Sequence, residues 1–221
     1  MKYIKGFFKW FIGTLLLIVL LLYITDYEYI LKGVRVVYMT GHTTAYIDDH
    51  PYFENMTIKK GDDTQSWPKH KGYNTIKPTQ NLITTHEKLG TVAYVIIKND
   101  SLWYEYYGEN YGPESQTNSF SVAKSITTSL MAKAIQDGYI KSLNQPIGDF
   151  FERYASDKTT VGDLASMSSG LDWDESYTSP FSVTARAYYD DDISETILQQ
   201  KVVEEPGRSF KYLSGIPNYW V

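Results

Sequence analysis

The chain has 221 residues, 43% apolar, 21% charged and 15% aromatic, and 21 Lys plus Arg against 26 Asp plus Glu leave a net charge of −5. That length suits one domain or one domain with an attachment, and the composition excludes a disordered, collagen-like or coiled-coil chain. An acidic balance without a Lys/Arg cluster excludes nucleic acid as the main partner, and the absence of cysteine excludes disulfides, thiolate metal sites and a cysteine nucleophile. Twenty tyrosines suit a half-exposed sheet surface or an aromatic-lined cleft.

In chain order, residues 1–25 stand apart from the fold. Lys2, Lys5 and Lys9 precede an apolar run from Trp10 to Ile24, which is the export pattern with its positive end held in the cytoplasm. Fifteen helical residues span only about 23 Å against a hydrocarbon core of roughly 30 Å. Phe7 and Phe8, with Lys9 snorkelling, bring the segment close to spanning length. A cleavable signal needs small residues at −3 and −1 of the cut. The first Ala is Ala45, Gly33 has Leu31 at −3, and Gly41 has Met39 at −3. The segment therefore reads as an uncleaved signal anchor in preference to a cleaved signal, and either leaves the remainder of the chain extracytoplasmic. That remainder carries 18 basic and 26 acidic residues, a net charge of −8.

Residues 26–84 read as an approach segment with irregular stretches such as Trp67-Pro68-Lys69-His70. Thr91 to Ile97 and Leu102 to Tyr107 are β-rich runs around Asn99-Asp100, which predicts a hairpin. From Ser121 the period becomes helical through Val122, Ile126, Leu130, Ala134 and Ile135, and Gly138 closes the helix. Thr160 to Asp163 has capping-box spacing before a short helix stopped by Gly170. Residues 170–192 look like an acidic, aromatic surface excursion. A helix is expected from Ile193 to Val203, then a strand-like Ser209 to Tyr212. This order predicts an α+β fold, with helices packed on a mainly antiparallel sheet.

The chemistry concentrates in Asn118-Ser119-Phe120-Ser121-Val122-Ala123-Lys124-Ser125. Ser121 at a helix start and Lys124 three residues on share one face, one turn apart. A serine hydroxyl is a poor nucleophile until a neighbour takes its proton, and an amine does so only when its charged form is disfavoured. The helix N-terminus adds a free backbone N–H that can stabilise an oxyanion. The spacing alone recurs by chance. Ser66-Trp67-Pro68-Lys69 has it too, but the internal Pro spoils helical geometry. The plain alternative for Ser121 is an N-cap beside a solvated lysine. Further on, Pro206 to Gly215 offers Tyr212 with Ser214 two residues later, a Tyr-x-Ser that also occurs at Tyr154 and Tyr177.

Three segments in order, Ser119-Phe120-Ser121-Val122-Ala123-Lys124-Ser125, Asp163 to Leu171, and Pro206-Gly207 to Ser214-Gly215, together resemble the serine β-lactamase-related hydrolases. That family includes class C β-lactamases, D-Ala-D-Ala carboxypeptidases, esterases and 6-aminohexanoate-dimer hydrolases. The resemblance covers roughly residues 85–215. It implies a β-lactamase/transpeptidase-like fold with a helical subdomain, Ser121 as the acylated nucleophile, Lys124 as its proton acceptor and Tyr212 as the relay to the leaving group. Ser214, a substrate-binding candidate, matches the esterase and amide-hydrolase members, where many lactamases have Asn, and tilts the substrate away from β-lactams. The expected substrate is a small ester or amide or a peptide, with no cofactor and no metal. The family's third motif, Lys-Thr-Gly or His/Trp-x-Gly, has no match after Tyr212. Residues 85–221 are therefore expected to be a domain incomplete at its C-terminus, and the alternative reading is a non-catalytic domain that binds peptidoglycan-like or peptide ligands.

Other constellations carry less. Asp190-Asp191-Asp192 with Glu195 lacks Gly-anchored calcium spacing and reads as a solvated loop. Asp172, Asp174 and Glu175 read as a cleft rim instead of glycosidase carboxylates. His42, His50, His70 and His86 show no metal spacing and read as loop residues. Without a Gly-x-Ser-x-Gly elbow, an α/β-hydrolase triad is disfavoured.

Overall fold

A computed structural model describes residues 2–215. The segment after Gly215, on which the missing third motif was judged, lies outside the described residues. The chain forms two compact units, Met1–Tyr46 with Ser119–Val221, and Ile47–Asn118.

The Ile47–Asn118 unit carries the expected hairpin, β1 (Ala93–Lys98) and β2 (Ser101–Tyr107), paired antiparallel with Ala93 opposite Tyr107. Asn99 and Asp100 both have positive φ, 52° and 55°, the backbone a two-residue turn needs to match strand twist. Residues 68–70 run beside β2. The Leu102 N–H donates to the Pro68 carbonyl and the His70 N–H to the Leu102 carbonyl, each at 2.9 Å. A helix that the period did not announce, Gln80–Leu89, precedes the hairpin. Its cues are local: Thr79 Oγ1 accepts from the Leu82 N–H at 3.2 Å, and Gly90 closes it at φ 59°. His86 is thereby helical and buried, stacked on Tyr106 at 4.4 Å between centroids, and is not a loop residue.

In the other unit, α1 (Lys2–Ile24) extends through the basic flank. Tyr3–Ile24 is long and apolar enough to cross a membrane, and none of it is buried. Counting the Gln80–Leu89 helix as α3, this unit holds α2 (Tyr29–Val37), α4 (Ala123–Gln136), α5 (Val161–Ala165), α6 (Val183–Tyr189) and α7 (Ile193–Leu198). The short α5 owes its start to a full capping box between Thr160 and Asp163. The principal core joins Ile147, Tyr154, Leu164, Leu171, Trp173, Ile197 and Leu213. Each such side chain withdrawn from water contributes about 1.5–3 kcal/mol before entropy is charged against it.

Three expectations are corrected here. Residues 170–192 are no surface excursion, because Leu171 and Trp173 are core and Trp173 Nε1 donates to Thr184 Oγ1 at 2.9 Å on α6. The last helix stops at Leu198, and Val202 instead forms a bridge with Leu171. Ser209 to Tyr212 is not a strand: among the described residues it has no strand neighbour, and it is tied down by the Lys211 N–H on the Met167 carbonyl at 2.8 Å. The α4 period was legible, yet its Val122–Ile126–Leu130 stripe is exposed. The buried face is the other one, where Met131 meets Ile140 and Val161.

Candidate active site

The site is built on the start of α4. Ser121 lies in a 3-10 turn, Phe120–Val122, and Lys124 is the second residue of α4. One turn of helix brings the two side chains together, with Lys124 Nζ 3.2 Å from Ser121 Oγ. Phe120 just before the serine has φ 44°, a left-handed conformation that costs an aromatic residue on the order of 1–3 kcal/mol and persists only where its surroundings enforce it. Starting the turn there leaves the first backbone N–H groups without intrahelical acceptors.

Tyr212 arrives from the other end of the unit. Its hydroxyl is 2.6 Å from Ser121 Oγ, and Lys124 Nζ is 5.1 Å from the centroid of its ring. The segment carrying it is pinned on both sides. The Gly207 N–H donates to the Ser168 carbonyl at 2.9 Å, and Lys211 Nζ to the Leu171 carbonyl at 3.2 Å. Leu213 is in the core, and Gly215 presses on the Trp173 ring, where even a methyl group has no room. Side chains therefore alternate along Tyr212-Leu213-Ser214, the leucine inward and the flanking hydroxyls toward the site.

Ser214 belongs to a second cluster, with Glu175 and Tyr177. Its N–H donates to Glu175 Oε2 at 2.8 Å, its hydroxyl donates to Glu175 Oε1, and the Tyr177 hydroxyl donates to that same oxygen. The Tyr177 and Ser214 hydroxyl oxygens are 3.2 Å apart. In the sequence Glu175 reads as part of a cleft rim and Tyr177 as a recurring Tyr-x-Ser triplet; the structure brings both onto Ser214. Tyr177 is mostly exposed, with partial desolvation. That desolvation, followed by the hydrogen bond to Glu175, pushes its pKa above the ordinary tyrosine value, with the Ser214 contact opposing. Ser121 is exposed and Lys124 half-buried, and no carboxylate pairs with Lys124 among the described residues. Nor, among them, does any group of three His, Cys, Asp or Glu side chains stand in position to hold a metal.

The Beta-lactamase family model matches residues 79–215, which includes the helix pair, Tyr212 and Ser214. The chain belongs to the β-lactamase family. A solved structure described as "Putative 6-aminohexanoate-dimer hydrolase from Bacillus anthracis" superposes with a TM-score of 0.57 at 19% identity. The alignment covers 72% of this chain and 47% of that one, so this chain spans about half the length of that relative. At this identity the likeness establishes the fold: a β-lactamase-like architecture of mixed helix and sheet. No curated protein matches the chain.

Proposed function

We propose that this β-lactamase-family chain is a serine hydrolase that cleaves an ester or amide through an acyl-enzyme on Ser121. The observation that carries the reading is the three-body contact at the start of α4: Lys124 Nζ at 3.2 Å and the Tyr212 hydroxyl at 2.6 Å from one serine oxygen. Both distances are within reach for proton transfer. Lys124 takes the Ser121 proton as Oγ bonds to the substrate carbonyl carbon, and the carbonyl electron pair moves onto oxygen. The Ser121 N–H, which precedes the first bond of the turn (Val122 N–H to the Ser119 carbonyl), favours that charge. Collapse breaks the bond to the leaving alcohol or amine, which receives a proton through the Tyr212 hydroxyl. Water then attacks the ester, its proton passing to the same groups, and releases the acid and Ser121. Ser214, fixed by Glu175, is assigned to holding the substrate.

The same proposal makes α1 a single-pass anchor with Lys2, Lys5 and Lys9 on the cytoplasmic side and the hydrolase outside. The test is covalent labelling of the full chain in detergent by an activated fluorophosphonate, read by peptide mass. The expected result is one adduct on Ser121 that is absent from Ser121→Ala. Equal labelling of Ser121→Ala overturns the assignment. A folded wild-type chain that takes no adduct favours the non-catalytic, ligand-binding alternative.

A further inference from the structure

Within the same unit as the reacting groups is a cavity of about 230 Å³ between α2 and the segment leading into α6. It exceeds the ~150 Å³ apolar cavity that is known to accept benzene. None of its lining side chains is charged. Tyr29 forms one wall: it is buried, and its hydroxyl is already committed to the Pro180 carbonyl at 2.9 Å, so the ring contributes only apolar surface. Arg186 sits 5.0 Å from the Tyr29 ring and is paired with Asp26 at 2.7 Å and Asp190 at 3.2 Å, and Glu175, on the Tyr177 hydroxyl, is occupied by the Ser214 N–H and hydroxyl. At Gly33, a Cβ would lie 3.2 Å from the Tyr189 ring, so the missing side chain lets α2 and α6 close on each other. The wall is thus preformed and uncharged.

Tyr177 joins this cavity to the reaction site. It is one of the lining residues, and its hydroxyl contacts Ser214 and Glu175. We infer that the cavity is the binding site for an uncharged, apolar chain or ring on the substrate, lying beyond the bond that Ser121 attacks. This rests on the proposed hydrolase reading and narrows its substrate to an amphiphilic ester or amide with one apolar end. The position of α2 agrees. Tyr29 follows the end of α1 by five residues, at most roughly 18 Å of chain. With α1 in a bilayer the cavity stands near the surface where such molecules concentrate.

Burying one methylene is worth about fourfold in an equilibrium or a specificity constant. In the full chain reconstituted in nanodiscs, kcat/KM for p-nitrophenyl esters is expected to rise by about threefold per methylene from acetate to hexanoate. Val34 and Thr44 line the cavity and are exposed, so a large side chain at either has room without disturbing the core. Val34→Trp and, separately, Thr44→Trp are expected to reduce the hexanoate-to-acetate ratio of kcat/KM at least tenfold. Direct binding of hexanamide to Ser121→Ala, followed by ligand-observed NMR against empty nanodiscs, should be lost on adding Val34→Trp. A flat chain-length profile with active enzyme, or hexanamide binding that neither tryptophan alters, overturns the inference and leaves the hydrolase reading standing. Inactivity on every ester with hexanamide binding still sensitive to Val34→Trp has the opposite meaning: the pocket stands and the hydrolase reading falls.

Discussion

The Tyr212 hydroxyl lies 2.6 Å from Ser121 Oγ across 91 residues of sequence, and the same ring lies 5.1 Å from Lys124 Nζ. One side chain therefore touches both members of the helix pair, by two different parts. Tyr212→Phe separates them: the ring stays over Lys124 Nζ, and only the hydroxyl is lost. General acid–base groups typically contribute 10²–10⁴-fold, so kcat on an activated ester is expected to fall by about that factor. KM and the melting temperature should stay close to wild type. A Phe variant with full kcat removes Tyr212 from the proton path.

Glu175 holds Ser214 by two hydrogen bonds and Tyr177 by one. Glu175→Gln keeps the volume but loses the charge, and hydrogen bonds to charged groups are worth about 1.5–3 kcal/mol. Because Ser214 is assigned to substrate holding, the expected signature is a KM raised about tenfold with a smaller change in kcat. Removing the carboxylate also removes one cause of the raised Tyr177 pKa, so that titration, followed by absorbance against Tyr177→Phe, should move down toward the ordinary value. Partial desolvation is the larger cause, and part of the elevation should remain.

How much of this was legible in residue order differs by range. The Ser121–Lys124 pair depends on one helical turn, and the Asn99-Asp100 turn and the Thr160–Asp163 box are equally local. The spacing contained them. Glu175 meets Ser214 across 39 residues, and nothing near either residue marks the other. Trp173 illustrates why residues 170–192 were misjudged. Its acidic neighbours make the run look solvated, while its indole is buried in the core and bonded to Thr184. Ser209 to Tyr212 alternates like a strand, but pairing needs a neighbour, and carbonyls at Met167 and Leu171 take that place. The exposed Val122–Ile126–Leu130 stripe shows the converse limit: period identifies a helix without saying which face is covered.

Tyr29 gives a pH signature for the packing of α2 on α6. Burial raises its pKa above 10.0, with Arg186 opposing, and its hydroxyl donates to the Pro180 carbonyl. A phenolate at that position loses the donor and remains desolvated. The folded state thus prefers the protonated form more than the unfolded chain does. The associated stability is complete below pH 10 and is lost as pH rises through the elevated folded pKa. Denaturant midpoints should accordingly decline above pH 10, and less steeply in Tyr29→Phe than in wild type. Parallel declines in the two proteins would show that other groups carry the alkaline sensitivity.

Gly215 closes the segment that delivers Tyr212, and its contact with Trp173 tests whether packing there sets the catalytic geometry. A Cβ at 215 would stand 2.3 Å from the indole ring, and Trp173 is 3% exposed with its Nε1 bonded to Thr184. The ring has no free direction in which to yield, so Gly215→Ala should incur the overpacking cost of about 1–3 kcal/mol. In a chain of this size that lowers the melting temperature by roughly 2–4 °C per kcal/mol. Gly138→Ala is the matched comparison, since it has φ 81° but open space around the added carbon, leaving only the left-handed penalty of about 1–2 kcal/mol. Both variants are expected to lose comparable stability, whereas only Gly215→Ala should lower kcat, because only there does the relief of a clash displace Tyr212 from Ser121. Equal kcat in the two variants would mean that the Trp173 contact holds the fold but does not position the tyrosine.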